Sequence, residues 1–256
     1  MNEAPPLAYR LIVLAFAPLF LAYTVWRSVK DGGWIYLKQR LGFSYPSEIQ
    51  TADLWVHAAS VGEVTTVLPL LELALASSDH SIGSILLTTN TPTAKQVLKK
   101  HDVAAITHAY LPIDFAFACS RFCSRLRTRQ GWIVETEIWP RLYTTCSQHQ
   151  ISLTIINGRL SDKTLKYAAG ILRSSYEQAM TDVQVLARSP EDNSRFVSIG
   201  AEPTKVKTVG NLKYMDSRKP VDVKQLLKRD YIVAASTHDN CKLGTTEHKQ
   251  HLWVAH

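Results

Sequence analysis

From Pro46 onward the chain alternates short β-branched or apolar runs with amphipathic stretches, and that alternation points to a parallel sheet covered by helices. Residues 54–58, 84–89, 104–108, 132–135, 152–157, 183–187 and 207–209 read as strands. Helical periodicity is clearest over 64–76, 92–100, 115–127, 142–148 and 163–180. The expected fold is therefore a Rossmann-like α/β domain. In such sheets functional groups collect at the carboxyl ends of the strands, so the turns that follow them are where chemistry is sought.

Ahead of this region, residues 11–26 read LIVLAFAPLFLAYTVW without a charge, preceded by Arg10 and followed by Arg27 and Lys30. A full membrane span takes about 20 apolar residues, so this run crosses only if residues 7–9 and a snorkelling Arg10 contribute. A shallow monotopic anchor fits equally well; a cleaved signal peptide and a buried core helix are the competing readings. The exit through Trp26 and Arg27 lacks the small residues of a cleavage site. Arg27, Lys30, Lys38 and Arg40 are expected at anionic headgroups on the cytoplasmic side, with Trp26, Trp34 and Tyr36 at the interface.

The 256 residues, 46% of them apolar, suffice for one large or two small domains. Lys and Arg outnumber Asp and Glu by 29 to 22, and the net charge of +7 favours acidic partners: nucleic acid, anionic membrane or phosphorylated substrates. Nucleic acid is the least favoured, because Arg121, Arg125, Arg127 and Arg129 lack the interleaved aromatics of a base-stacking platform. The four cysteines, Cys119, Cys123, Cys146 and Cys241, show no C-x-x-C spacing and read as ordinary thiols in a reducing compartment.

Three strand-end turns carry unusual residues. His57-Ala58-Ala59-Ser60-Val61-Gly62-Glu63 combines small residues, which let a ligand approach the backbone, with a carboxylate at a helix start. A helix dipole stabilises such a carboxylate, so Glu63 reads equally as a site group or as a helix-start residue. Thr88-Thr89-Asn90-Thr91-Pro92-Thr93 suits helix capping better than anion binding. In Glu135-Thr136-Glu137-Ile138-Trp139-Pro140 two carboxylates are expected on one side of an extended segment, as surface charge or as a site pair. A later turn, Asn157-Gly158-Arg159-Leu160-Ser161, adds an arginine suited to phosphate or carboxylate recognition.

At these turns the sequence resembles the 3-deoxy-D-manno-octulosonic acid (Kdo) transferases of lipopolysaccharide assembly. The shared segments run in one order: Lys38-Gln39-Arg40-Leu41-Gly42, residues 57–64, residues 88–93, Tyr110-Leu111-Pro112-Ile113-Asp114, residues 135–140, residues 157–161, Gly210-Asn211-Leu212-Lys213-Tyr214, and Ala234-Ala235-Ser236-Thr237-His238. The resemblance implies a GT-B glycosyltransferase, with two Rossmann-like domains facing across a cleft and an amino-terminal membrane-anchor helix at the inner membrane's cytoplasmic face. It implies CMP-Kdo as donor, lipid IVA as acceptor, anionic inner-membrane lipids as surroundings, inversion at the sugar, and no metal or other cofactor. By the same resemblance Glu63 is the general base and Glu135 or Glu137 a second essential carboxylate. Ser60, Gly62, Asn157 and Arg159 are implied acceptor contacts, and Asn211, Lys213, Ser236, Thr237 and His238 a donor-side remnant.

The expected organisation is an anchor with its basic flank over 1–33, an acceptor-side domain over 34–214, a linker and first donor-domain strand over 215–238, and a tail over 239–256 that departs from the family pattern. The second Rossmann-like domain is expected to be largely absent, so the activity of the chain as written is in doubt. His248, His251 and His256 are not read as a metal site, since no cysteine or carboxylate set accompanies them. Two other readings stay open: a non-catalytic, membrane-associated acceptor-binding fragment, and a GT-B transferase using another nucleotide sugar on a lipid acceptor.

Overall fold

The computed structural model describes residues 4–77, 82–101 and 103–214. The linker and first donor-domain strand expected over 215–238, with the candidates Ser236, Thr237 and His238, and the tail with Cys241 all lie outside the described residues.

Seven strands form one parallel sheet: β1 (Leu54–His57), β2 (Ile85–Thr89), β3 (Ile106–Tyr110), β4 (Gln130–Val134), β5 (Ser152–Gly158), β6 (Gln184–Ala187) and β7 (Val206–Thr208). Their spatial order is β3-β2-β1-β4-β5-β6-β7. The chain builds outward one way from β1, then restarts at β4 and builds the other way, so β1 and β4 flank the switch point. Ligands of open α/β sheets bind in the crevice at such a point.

The central strands β1 and β2 are buried along their whole length on both faces, as expected inside a parallel sheet, whereas the edge strand β7 exposes Lys207 and Thr208. Helices α3 (Val61–Leu75) and α4 (Pro92–His101) pack on one face, over Leu54, Val56, Leu87 and Ile156. On the other, α5 (Ala116–Cys123), α6 (Pro140–Gln148), α7 (Asp162–Ala169), α8 (Arg173–Met180) and α9 (Pro190–Ser198) contribute to a core around Trp55, Phe122, Ile133, Ile155 and Phe196. Gly131 leaves room on the sheet face for its neighbours on β1 and β5: a Cβ there would lie 2.7 Å from the Trp55 ring and 2.8 Å from the Leu153 side chain. β4 begins two residues before the apolar run that marked it in the sequence, at Gln130 and this glycine.

Several expectations change. The helix expected over 115–127 ends at Cys123, and the one expected over 163–180 is two helices separated at Gly170. Cys119, Cys123 and Cys146 are buried free thiols. Before the sheet, α1 (Leu7–Arg27), a π-helical turn (Ser28–Gly32) and α2 (Gly33–Arg40) form one helical stretch of 34 residues, long and apolar enough to cross a membrane. Leu11, Leu14, Leu19, Val25 and Trp26 on α1 are exposed, so a buried core helix is not what this segment is. Tyr36 and Arg40, expected at headgroups, turn inward instead. Tyr36 packs edge-on against Tyr110, and Arg40 donates to Asn90 and to the Leu111 carbonyl.

α1 touches the domain through Tyr9, whose hydroxyl donates to the buried carboxylate of Asp114. The same carboxylate accepts the Arg141 amide at 3.1 Å and the Leu142 amide at 2.7 Å, capping α6 from a distant loop. Asp114→Ala should therefore destabilise the fold by about 3 kcal/mol, because buried donors lose their acceptor, and Tyr9→Phe by about 1 kcal/mol. Urea unfolding of the detergent-solubilised chain measures both; equal losses would mean that α6 does not depend on the cap.

Candidate functional site

The two turns that flank the switch point each deliver one carboxylate. After β1 the chain passes through buried Ala58 and Ala59 to Ser60, the N-cap of α3. The Ser60 hydroxyl accepts the Glu63 amide at 3.3 Å and donates to Glu63 Oε1 at 2.8 Å. Glu63 Oε2 accepts the Ala59 amide at 2.8 Å. This is a variant of the capping box in which the carboxylate takes the amide of the residue before the N-cap, so Glu63 is a helix-start residue by geometry. It is also a half-buried acid: burial pushes its carboxyl above the ordinary glutamate value, the Ser60 and Ala59 donors oppose the rise, and the Glu137 charge adds to it. A helix-start role and a site role are thus compatible in one side chain. Gly62 is exposed, and a Cβ there would meet nothing closer than Ser60 Oγ at 4.0 Å, which leaves open space beside Glu63.

After β4, Glu135 takes a left-handed backbone (φ 61°) that ends the strand. The expectation that Glu135 and Glu137 share one side of an extended segment fails here, since the two carboxylates take different partners. Glu135 lies 3.8 Å from exposed Arg159, whose carbonyl accepts the Thr136 hydroxyl. Glu137 Oε2 accepts Trp139 Nε1 at 2.8 Å and Asn90 Nδ2 at 3.2 Å, and lies 3.9 Å from His57 Nε2. Burial alone would raise the Glu137 carboxyl; His57, Trp139 and the Arg40 charge outweigh it and hold the group below its ordinary value. Glu137 is the member of the pair that faces Glu63 electrostatically.

Asn90 joins the two sides. Its backbone amide donates to the Ala59 carbonyl at 3.1 Å, its Oδ1 accepts Arg40 Nη1 at 2.8 Å, and its Nδ2 reaches Glu137. Arg40, Asn90, His57 and Trp139 fall within the shared sequence segments but were not singled out there. The signal for His57, Asn90 and Trp139 is positional, since each lies in or beside a turn at the carboxyl edge of the sheet; Arg40 ends α2, ahead of the sheet, and carries no such signal. Asn157, expected to contact substrate, is buried with φ 53°, and its Oδ1 accepts the Leu212 amide at 3.1 Å. It secures the 3-10 turn Leu212–Tyr214, in which Lys213 is exposed and donates its amide to Asn211 Oδ1.

Next to this network an apolar cavity of about 170 Å³ separates α1 from the loop after β3, lined by Val13, Phe16, Phe20, Pro112, Arg40 and Trp139. A larger polar hollow of about 560 Å³, between α6, α8 and the start of β5, sits at the opposite edge of the sheet and holds none of these groups. Among the described residues, no cluster of three or more His, Cys, Asp or Glu side chains could hold a metal ion.

Residues 36–216 match the sequence model of the family described as 3-deoxy-D-manno-octulosonic-acid transferase (kdotransferase). A 3-deoxy-D-manno-octulosonic acid transferase of Haemophilus influenzae is 30% identical over 244 residues, covering 90% of this chain and 56% of the relative. One of Bordetella pertussis is 30% identical over 218 residues, covering 80% of this chain and 49% of the relative. The chain thus spans about half the length of these curated relatives. Among solved structures, a UDP-N-acetylglucosamine 2-epimerase aligns with a TM-score of 0.47 at 11% identity, covering 72% of this chain and 54% of the other.

Ser60→Ala removes the N-cap and one donor to Glu63. The expected result is a loss of about 1 kcal/mol in stability and a Glu63 midpoint still higher than in the parent, read by carbon-13 NMR of the side-chain carboxyls. An unchanged midpoint would show that the Ser60 hydroxyl does not bear on Glu63.

Proposed function

Because the chain belongs to the Kdo transferase family, we propose that residues 34–214 form the acceptor side of a GT-B glycosyltransferase. The proposed reaction moves Kdo from CMP-Kdo to lipid IVA, a lipid A precursor, at the cytoplasmic face of the inner membrane. The observation that carries this reading is that the turns flanking the switch point each deliver one partly buried carboxylate, held by different partners. Glu63 is pushed up and Glu137 is held down, and carboxyls driven apart in this way take different roles in catalysis.

In the proposed mechanism the acceptor hydroxyl sits within hydrogen-bond reach of Glu63, in the space left open beside Gly62. Ionised Glu63 takes the hydroxyl proton as that oxygen attacks the anomeric carbon of Kdo from the face opposite the leaving group. The new carbon–oxygen bond forms, the bond to the phosphate oxygen breaks with its electron pair, and CMP departs. The configuration inverts, in the metal-independent manner that the family resemblance implies. Glu137 remains ionised and lends its negative charge to the cleft, keeping Glu63 proton-hungry. Arg159 and Glu135, paired at the rim, are proposed as acceptor contacts, with Ser60 acting through Glu63. Asn211 and Lys213, with Ser236, Thr237 and His238, are proposed on the donor side, which in relatives of twice this length would be completed by the remaining half.

The exposed apolar side of α1 supports attachment to the bilayer, and the cavity behind it supports an acceptor that carries acyl chains beside its sugar. Lys30 and Lys38, stacked on Trp26 and Trp34, suit the anionic headgroup layer.

A chimaera of this chain with the carboxyl-terminal half of the Haemophilus influenzae relative should add Kdo to lipid IVA, as read by mass spectrometry. In it Glu63→Ala should lose on the order of a hundredfold or more in kcat. The acid limb of kcat/KM should lie above the ordinary glutamate range, because only ionised Glu63 accepts the proton and its value is raised. Transfer from UDP-GlcNAc but not CMP-Kdo would point instead to another sugar nucleotide, and acceptor binding without transfer to a non-catalytic module. Separately, the intact chain should sediment with membranes and should become soluble when residues 1–33 are removed; a soluble parent would overturn the anchor.

A further inference from the structure

His57 closes β1 and is fully buried. Its Nδ1 lies 3.1 Å from the Thr88 carbonyl and 3.0 Å from Thr88 Oγ1, on the neighbouring strand. Its Nε2 finds no hydrogen-bond partner among the described residues and points toward Glu137 Oε2 at 3.9 Å.

Two arrangements satisfy Nδ1. If Nδ1 donates to the Thr88 carbonyl, a bare Nε2 would set its lone pair against a carboxylate inside the protein, a costly contact that a proton on Nε2 relieves. If instead Nδ1 accepts the Thr88 hydroxyl, which then turns away from the Val56 carbonyl 3.3 Å from it, the neutral ring carries its one hydrogen on Nε2. The second arrangement places a hydrogen on Nε2, facing Glu137, and the first does so when the ring holds two protons. The charged and titratable groups around this contact are Glu137 on the turn after β4, Glu63 on α3, Tyr143 on α6, whose hydroxyl donates to the Glu137 carbonyl, and Arg40 on α2, whose charge bears on Glu137 and whose guanidinium is fixed by Asn90.

We propose that His57 is a positioning residue: its Nε2–H is aimed at Glu137 and keeps that carboxylate ionised and oriented beside Glu63. The gap of 3.9 Å is longer than a hydrogen bond, and it closes by rotation of the Glu137 carboxylate when a substrate enters, as catalytic contacts do on going from the free to the bound enzyme. The catalytic meaning of the contact rests on the transferase reading above, whereas the contact itself does not.

The test uses the full 256-residue chain in detergent micelles, labelled with nitrogen-15 in histidine and carbon-13 in the glutamate carboxyls. In the parent, the His57 Nε2 signal should be that of a protonated nitrogen. His57→Leu, which keeps the volume but not the donor, should raise the Glu137 midpoint by about one pH unit or more, the scale of losing a close favourable partner. His57→Gln, whose side-chain amide reaches a similar position, should bring the midpoint back toward the parent value. A bare Nε2 in the parent overturns the proposal without any variant, and so does an unmoved Glu137 midpoint in a His57→Leu protein that retains the parent's amide spectrum. Failure of the chimaera to transfer Kdo would count against the transferase reading and would leave these signals where they are.

Discussion

One carboxylate shielded from water, that of Asp114, organises the part of the molecule that matters for function. A buried carboxylate is tolerable only when donors replace the water it has lost. Asp114 finds them in the first amides of α6 and in the hydroxyl of Tyr9 on α1. The amides at a helix start carry partial positive charge, so the contact is electrostatic as well as directional. Glu137 and Trp139 stand immediately before α6, so the clamp on α6 is also a clamp on them. The apolar helix, the loop after β3 and the second carboxylate of the site are therefore positioned by the same group.

Glu63 and Glu137 are the same residue type and sit at neighbouring strand ends, yet their surroundings drive them in opposite directions. Glu63 is bound by the small polar groups of its own helix start, and these do not offset its loss of water. Glu137 draws on three separate segments: the end of β1 through His57, the turn after β2 through Asn90, and its own turn through Trp139. Asn90 is central because it also fastens Arg40 and the Ala59 carbonyl. Polar groups from three turns thereby become one electrostatic unit.

Most of the architecture was legible in the sequence. All seven strands could be read as short apolar runs, and the turns after β1 and β4 stood out because small or acidic residues followed apolar ones directly. What could not be read locally was set by distant contacts. Arg40 and Tyr36 look like interfacial residues until Asn90, Leu111 and Tyr110 are brought beside them by the sheet. Glu135 and Glu137 look equivalent by spacing, and a single left-handed residue separates their directions. Asn157 looks like a contact group, but its side chain is consumed by the Leu212 amide. Gly170 carried the signal for the break between α7 and α8, within a stretch whose periodicity otherwise continued across it.

The missing side chain of Gly131 reaches further than its size suggests. Trp55 rests in the space that any larger residue at 131 would fill, and its indole N–H is held by Thr88 Oγ1 at 2.9 Å. Thr88 in turn holds the ring of His57. One hydrogen atom on β4 thus sits at the head of a relay of contacts that ends at the Glu137 carboxylate. A single added methyl group at this position would press on a buried ring whose indole N–H is tied to Thr88, so a clash of packing on β4 would be passed by hydrogen bonds to the imidazole at the end of β1.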